Sequence, residues 1–579
     1  MKKNHYNKRV YVIVFLGIFN LILEYSYFEN NFITILISIL DFIILFFYLL
    51  DLIISFIKAE KKKSFLKKNS FDFLLILFFF IFFLYNQFIH LVMSSTQLKS
   101  LSLNFIILRN IYLIFKILGR IKKFNVFIKN ISNHPAQVII SSFLIVIIIG
   151  AFLLNMPFAA ADNIHIGFIN SLFTSTSAVC VTGLTVVDTA TRFSVYGQAI
   201  IMILIQIGGL GIMILSFFSA FLLGKKISLE DKMLLSYMLD EKDVKSLSKT
   251  IFSIVLATFI IEIIGALILY TKFHSLFGFN LKSLFYSFFH SISAFCNAGF
   301  ALFSDNLVSF KSDGLFTITI ALLIILGGIG FAVLGNLSRF FKNLIKRKLL
   351  QQRLEIVKLS VNTKAVLIIT ALLLVGGMFF IYGLEHQNSL LNFDLKTEYL
   401  SAFFQSTTLR TAGFNTIDFA SLTIPTYLVM LLFMFIGGAS GSTAGGIKVN
   451  TISVVYAYFK ALFKGKSEVS LFQKSILKDT VNKAFLIIIL MLSTIFAGVF
   501  LLSLVEKKPF MHLLFETVSA IGTVGLSTGI TPDLTNASKF VIIVLMFIGR
   551  LGPLTIVAAL TKKKKSYEIK YPEANINIG

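Results

Sequence analysis

Four short segments of the chain repeat one pattern at nearly equal intervals: SAVCVTGLT (177–185), SAFCNAGFA (293–301), TTLRTAGFN (407–415) and SAIGTVGLS (519–527). Their glycines, Gly183, Gly299, Gly413 and Gly525, lie 116, 114 and 112 residues apart. Ten positions before each stands a phenylalanine (Phe173, Phe289, Phe403, Phe515), and six before each a hydroxyl residue (Ser177, Ser293, Thr407, Ser519). A fixed period with preserved context marks repeated structural units. Four units, each with a glycine at one special backbone position, predict a four-fold arrangement around a single axis.

The surroundings of the motifs place them in a membrane. The chain is 56% hydrophobic with a mean hydropathy of +0.86, and its apolar runs approach twenty residues. Runs of that length with few charges span a bilayer, which excludes a soluble or secreted globular protein. The net charge of +25 does not indicate nucleic acid. Lysines and arginines gather in short loops between apolar runs, at 58–68, 116–130, 224–250, 339–353, 458–474 and 561–570, which is the positive-inside pattern. Two cysteines, Cys180 and Cys296, are too few for a metal cluster or a disulfide framework.

The expected fold is an all-α integral membrane protein. It comprises four tandem helix–pore loop–helix repeats around one pore (about 131–224, 245–340, 360–462 and 480–565), preceded by a four-helix transmembrane bundle. In each repeat a long helix (137–157, 249–270, 364–384, 482–505) precedes a half-length segment ending at the glycine motif. At about 14 residues, against the ~20 needed to span, those segments predict re-entrant loops, which a membrane tolerates only where backbone lines a cavity or is buried in protein. Second long helices are expected at 195–223, 314–337, 424–460 and 538–560. They carry Gly208, Gly327, Gly437 and Gly549, which lie 25, 28, 24 and 24 residues after the motif glycines; the first two read as close-packing sites. Within the third, GGASGSTAGGIK (437–448) is too glycine-rich for a helix and reads as an unwound intramembrane loop. In the fourth, Arg550 puts a charge inside an apolar run, where a polar interior or a partner is the default.

Residues 1–130 form a separate module with spans at 10–27, 33–57, 71–92 and 103–119. Asp41, Asp51 and Asp72 stand opposite Arg109, Lys116, Arg120 and Lys123 on the fourth span. Buried acids facing spaced bases have the arrangement of a voltage sensor. Positive-inside topology by itself accounts for the three bases nearest the cytoplasmic end. Four spans return the chain to the cytoplasm, so the N-terminus is cytoplasmic and the motifs face outward.

The chemistry expected of the motifs is cation coordination. A dehydrated alkali cation needs several oxygens, and a ring of backbone carbonyls from four loops supplies them. The lining residues would be Val181, Thr182 and Gly183; Asn297, Ala298 and Gly299; Thr411, Ala412 and Gly413; and Thr523, Val524 and Gly525. Asp188, Asp305, Asp418 and Asp533 stand just beyond and read either as a cation-attracting outer mouth or as ordinary loop acids. Arg410 reads as a hydrogen-bonding brace of its own loop. His290 reads as a packing or hydrogen-bonding residue. No phosphate-binding loop, metal-ligand helix motif or nucleophile elbow occurs, so an enzyme is not expected.

These features resemble the membrane subunit of the Trk/Ktr/HKT superfamily of potassium transporters, nearest the Ktr type. The likeness rests on the four motifs, the loop 437–448, GRLGP (549–553) and the terminal PEANINIG (572–579), and it covers residues 131–579. It implies K⁺ uptake across the plasma membrane by a homodimer, with a separate cytosolic nucleotide-binding ring controlling opening. The nucleotide then belongs to that separate subunit. The family associates four glycines with K⁺; a sodium-coupled or less selective monovalent cation carrier is the alternative. The resemblance further implies a gate formed by Gly437, Gly438, Gly441, Gly445, Gly446 and Lys448, faced by Arg550. The N-terminal module departs from the Ktr pattern and resembles the voltage-sensor domain of ion channels.

Overall fold

A computed structural model describes residues 43, 46, 135–211, 214, 247–349 and 358–560. The chain divides into two compact units, Met1–Asn133 and His134–Gly579. Asp41, Asp51, Asp72, Arg109, Lys116, Arg120 and Lys123 lie outside the described residues, as does the terminal PEANINIG.

The described residues are helical apart from loops and one two-residue hairpin, Ser470–Leu471 against Lys474–Ser475. Among the described residues, four single helices are long and apolar enough to cross a membrane: α1 (Pro135–Leu154), α4 (Leu247–Phe277), α8 (Val361–Glu385) and α12 (Lys478–Val505). Each is followed by a short helix: α2 (Phe168–Val179), α5 (Leu281–Phe295), α9 (Leu395–Thr408) and α13 (Phe510–Gly522). The short helices run 12 to 15 residues. A third set follows the motifs: α3 (Val195–Leu210), α6 (Gly314–Ile329) with α7 (Phe331–Leu349), α10 (Ile424–Phe435) with α11 (Val449–Phe463), and α14 (Asn536–Leu551) with α15 (Pro553–Leu560). Side-chain caps start three of these: Ser194 accepts from Gly197 N, Asp313 from Phe316 N and Thr535 from Ser538 N, at 3.1–3.3 Å.

Long and short helices are pinned together by one recurring device. Ser175, Ser291 and Ser406 on the short helices donate to the Ile147, Glu262 and Leu374 carbonyls of the preceding long helix, at 2.6–2.7 Å. Three residues after each of those carbonyls stands a glycine, Gly150, Gly265 or Gly377, where any Cβ would strike the serine hydroxyl. In the fourth repeat Gly498 admits the Thr517 methyl instead. A hydroxyl donating into a long apolar helix is satisfied without water, which is what burial in lipid requires.

The second helices depart from expectation. None is continuous: α3 ends at Gly211 (φ +83°), α6 at Gly330 (φ +95°) and α14 at Gly552 (φ +82°). At Gly330 the axis turns by 101° into α7. The last glycine of GGLG, GGIG and GRLG adopts left-handed backbone that costs other residues about 1–2 kcal/mol. The first glycine is the close contact expected in the first two repeats, and the fourth makes the same contact. A Cβ on Gly208, Gly327 or Gly549 would meet the carbonyl oxygen of Val179, Phe295 or Ile521, four residues before the motif glycine.

Candidate functional site

The four short helices end against the glycine segments, and each segment turns the same way. Val181, Asn297, Thr411 and Thr523 all have positive φ, from 50° to 64°, and so do Gly183, Gly299, Gly413 and Gly525, from 70° to 94°. Left-handed backbone at a β-branched residue such as Val181 or Thr411 is strained, and such strain persists only where its surroundings impose it.

The structure closes the four glycines into a ring. A Cβ on Gly183 would lie 3.0 Å from Gly299 Cα and 2.5 Å from the Ala298 carbonyl oxygen. One on Gly299 would lie 2.8 Å from both Gly413 Cα and the Ala412 oxygen. On Gly413 it would lie 2.9 Å from the Val524 oxygen and 3.3 Å from Gly525 Cα. On Gly525 it would strike the Thr182 oxygen and lie 3.0 Å from Gly183 Cα. The order is first, second, third, fourth and back to first, so the first and third repeats are opposite, as are the second and fourth. Each glycine therefore makes room for its neighbour's carbonyl as well as for its own torsion angle.

The polar groups of the segments are divided by direction. Amides point back at the short helices: Thr182 N donates to Ser177 O, Ala298 N to Ser293 O and Val524 N to Ser519 O, at 2.7–2.8 Å. The motif hydroxyls join them, with Ser177 and Ser519 accepting from Gly183 N and Gly525 N (3.0 and 3.1 Å) and Ser293 donating to Phe300 O (2.8 Å). No described residue donates to the Thr182, Ala298, Ala412 or Val524 carbonyl. Buried carbonyls of this kind are ordinarily paired, so a ring of free oxygens is a ready ligand set for a cation. The C-terminal ends of α2, α5, α9 and α13 add partial negative charge there.

The third repeat corrects the expected register. Ala412 N donates to Thr408 O (3.0 Å), and the fully buried ring is Phe404, whereas Phe173, Phe289 and Phe515 fill that place elsewhere. The helix therefore meets its glycine one residue early, and Thr407 only bonds its own helix at Phe403 O (2.9 Å). Arg410 is also corrected: it is 3% exposed, but its Nε and Nη2 find no hydrogen-bond partner among the described residues, so its guanidinium is not the brace expected. The four loop acids are all engaged, Asp188 of the first repeat also accepting from the Ser304 hydroxyl of the second (2.5 Å). Asp188, Asp305 and Asp418 accept the Ala190, Ser309 and Ala420 amides (2.9–3.0 Å), and Asp533 pairs with Lys508 (3.3 Å).

The glycine-rich stretch of the third repeat is an unwound loop between α10 and α11. Gly441 (φ +69°) and Gly446 (φ +65°) turn it, and Gly437 packs on Gly445 too closely for any side chain. Its anchors come from three directions. The break after α6 frees the Gly327 and Gly328 carbonyls, which accept from Thr443 N (3.3 Å) and Ala439 N (2.9 Å). Arg550 donates to the Thr443 carbonyl and, through its other terminal nitrogen, to Gly208 O in the first repeat. Lys448 closes the loop by donating to Ala444 O (2.6 Å). Thr443 also reaches the ring: the Asn297 amide donates to Thr443 Oγ1 (3.2 Å) and to the Phe295 and Ile324 carbonyls (3.3 and 3.2 Å). Sequence reasoning found Arg550 and the loop. It missed Thr443 and the Gly327–Gly328 carbonyls, whose only signal was the helix-breaking glycine after them.

Long apolar helices, broken partner helices and a closed ring of four glycine segments define a multi-pass membrane protein. The profile of the TrkH family, cation transport proteins, matches residues 106–570, and the chain belongs to that family. The Ktr system potassium uptake protein B of Bacillus subtilis (strain 168) is 41% identical over 456 residues, covering 78% of this chain and 98% of that protein. The potassium/sodium uptake protein NtpJ of Enterococcus hirae is 37% identical over 452 residues, covering 77% and 97%. The crystal structure of the potassium transporter TrkH from Vibrio parahaemolyticus shares the fold, with a TM-score of 0.58 over 84% of this chain and 97% of that one, at 19% identity.

Proposed function

We propose that this chain conducts K⁺ into the cell through the ring of four glycine segments, which acts as the selectivity filter, and that it is a transport protein rather than an enzyme. The carrying observation is the closed ring in which each free carbonyl interleaves with the next glycine. Its ligands come from Val181–Gly183, Asn297–Gly299, Thr411–Gly413 and Thr523–Gly525. The loop with Gly437, Gly438, Gly441, Gly445, Gly446 and Lys448 serves as the gate. Arg550 latches it shut: a guanidinium there repels cations as well as holding the Thr443 carbonyl. The working form is a homodimer in the plasma membrane, N-terminus cytoplasmic, controlled by a separate nucleotide-binding ring docked on the basic cytoplasmic loops. The N-terminal module biases opening.

The test is Rb⁺ uptake in a transport-deficient strain. Wild type restores uptake and Gly183→Asp abolishes it; undiminished uptake by that variant, or by the same change at Gly299 or Gly413, removes the filter assignment. The likeness to a potassium/sodium uptake protein supports a second reading, a sodium-coupled or less selective carrier. Uptake that needs Na⁺ at every K⁺ concentration selects that reading.

A further inference from the structure

Nine residues before the motif glycine, the short helices of the second and fourth repeats carry titratable side chains, His290 and Glu516. Both are fully buried. Three residues after the glycine, the chain leaves the ring at Leu302 and Thr528. Leu302 N donates to His290 Nε2 (3.2 Å), and Thr528 N donates to Glu516 Oε1 (3.2 Å). The same two positions are thus joined in the same way, in the two repeats that face each other across the ring.

Both acceptors are fixed in place. Because His290 Nε2 accepts, its proton sits on Nδ1, which donates to Tyr286 O (2.7 Å). The imidazole is boxed by Phe273 and Phe303, each with its ring centroid 5.3 Å away, and by Phe289 at 5.7 Å. Glu516 is held by Thr531 Oγ1, which donates to Oε2 (2.9 Å), and by the Ser527 hydroxyl. On the other diagonal the exit amide is not held among the described residues: the first repeat makes no such tie, and the third ties its short helix only to the side chain of Thr416, three residues after Gly413. Thr174 turns its hydroxyl back to Asn170 O (2.9 Å). Gln405, which takes this place after the one-residue shift, donates to the Thr416 hydroxyl (3.3 Å), and its Oε1 is unpaired among the described residues.

The geometry points to His290 and Glu516 as positioning residues that set the ion selectivity of the ring by anchoring the outer ends of its second and fourth segments. Where selectivity comes from cavity size, carbonyls favour the larger cation by being kept from closing on a smaller one. Each brace ties the backbone amide at the exit of a segment to the helix behind it, so the second–fourth diagonal is held by its backbone, whereas the first repeat has no tie and the third holds its exit only through a hydroxyl. This rests on the reading of the ring as the conduction path.

The experiment measures K⁺ over Na⁺ permeability from reversal potentials of the full-length protein in planar bilayers. His290→Leu and Glu516→Leu each lower the ratio about tenfold, the equilibrium weight of one net hydrogen bond. His290→Gln and Glu516→Gln, whose side-chain oxygens can still accept the amide, stay within about twofold of wild type, as does Thr174→Val in the untied first repeat. Should the leucine variants not fold, His290→Asn and Glu516→Asp, too short to reach, take their place with the same expected loss. Full selectivity in the leucine or shortened variants overturns the proposal, and so does an equal loss in Thr174→Val. Current that persists in Gly183→Asp would instead count against the ring as the path, leaving the braces without a filter to position.

Discussion

Two demands meet at Gly183: left-handed backbone, and space for the oxygen of a neighbouring repeat. Gly278 has only the first, with φ +77° and nothing within 4 Å of a Cβ. The pair separates strain from contact. Gly278→Ala should lower stability by about 1 kcal/mol, read by thermal unfolding in detergent, and leave Rb⁺ uptake unchanged. Gly183→Ala carries the same strain and also displaces the Ala298 carbonyl, so uptake should fall at least about tenfold, the result of losing more than ~1.4 kcal/mol of ion stabilisation. Equal effects on uptake would show that neighbour contact is irrelevant at the ring. The glycines were legible in the sequence because a left-handed residue with no room for Cβ has one solution. The left-handed Val181, Asn297, Thr411 and Thr523 were not, since four different uses of side-chain chemistry share one backbone shape that only the closed ring imposes.

Among elements, the long and short helices were readable from apolar length and hydroxyl content, and α1, α4, α8 and α12 begin or end within a few residues of expectation except at the end of α4. The continuous second helices were misread. GGLG, GGIG and GRLG carry both a packing glycine and a helix-ending one, and nothing local distinguishes the two. The break after α6 matters because it frees the carbonyls that receive the loop between α10 and α11. The loop is thereby tied to the second repeat by backbone and to the fourth by one side chain. Arg550→Gln shortens that latch and should raise K⁺ flux severalfold while weakening its dependence on the proposed cytosolic ring, measured as uptake with and without nucleotide. Removing about ten residues of the loop should do the same more strongly. Unchanged partner dependence in both would exclude this loop as the gate.

At the scale of the whole molecule, four stretches of one chain contribute unequal walls to one ring. The third has a shifted register and the intramembrane loop, the fourth supplies the latching arginine, and the second supplies the broken helix that anchors the loop. The N-terminal module adds a separate prediction. If Arg109 moves in the field, one elementary charge is worth about 2.3 kcal/mol per 100 mV, so conductance should rise gently with voltage. A protein starting near residue 131 should lose that dependence, and so should Arg109→Gln; identical curves would limit the module to a structural part.

If the four glycine segments select the ion together, reversal potentials under opposed K⁺ and Na⁺ gradients will register a change at any one of them, in Gly183→Ser, Gly299→Ser, Gly413→Ser and Gly525→Ser alike. Wild type should show strong K⁺ preference, and every one of the four variants a lowered K⁺ over Na⁺ ratio. A wild type that does not discriminate, or a substitution at any one of the four that leaves the ratio intact, would contradict selection by the four together.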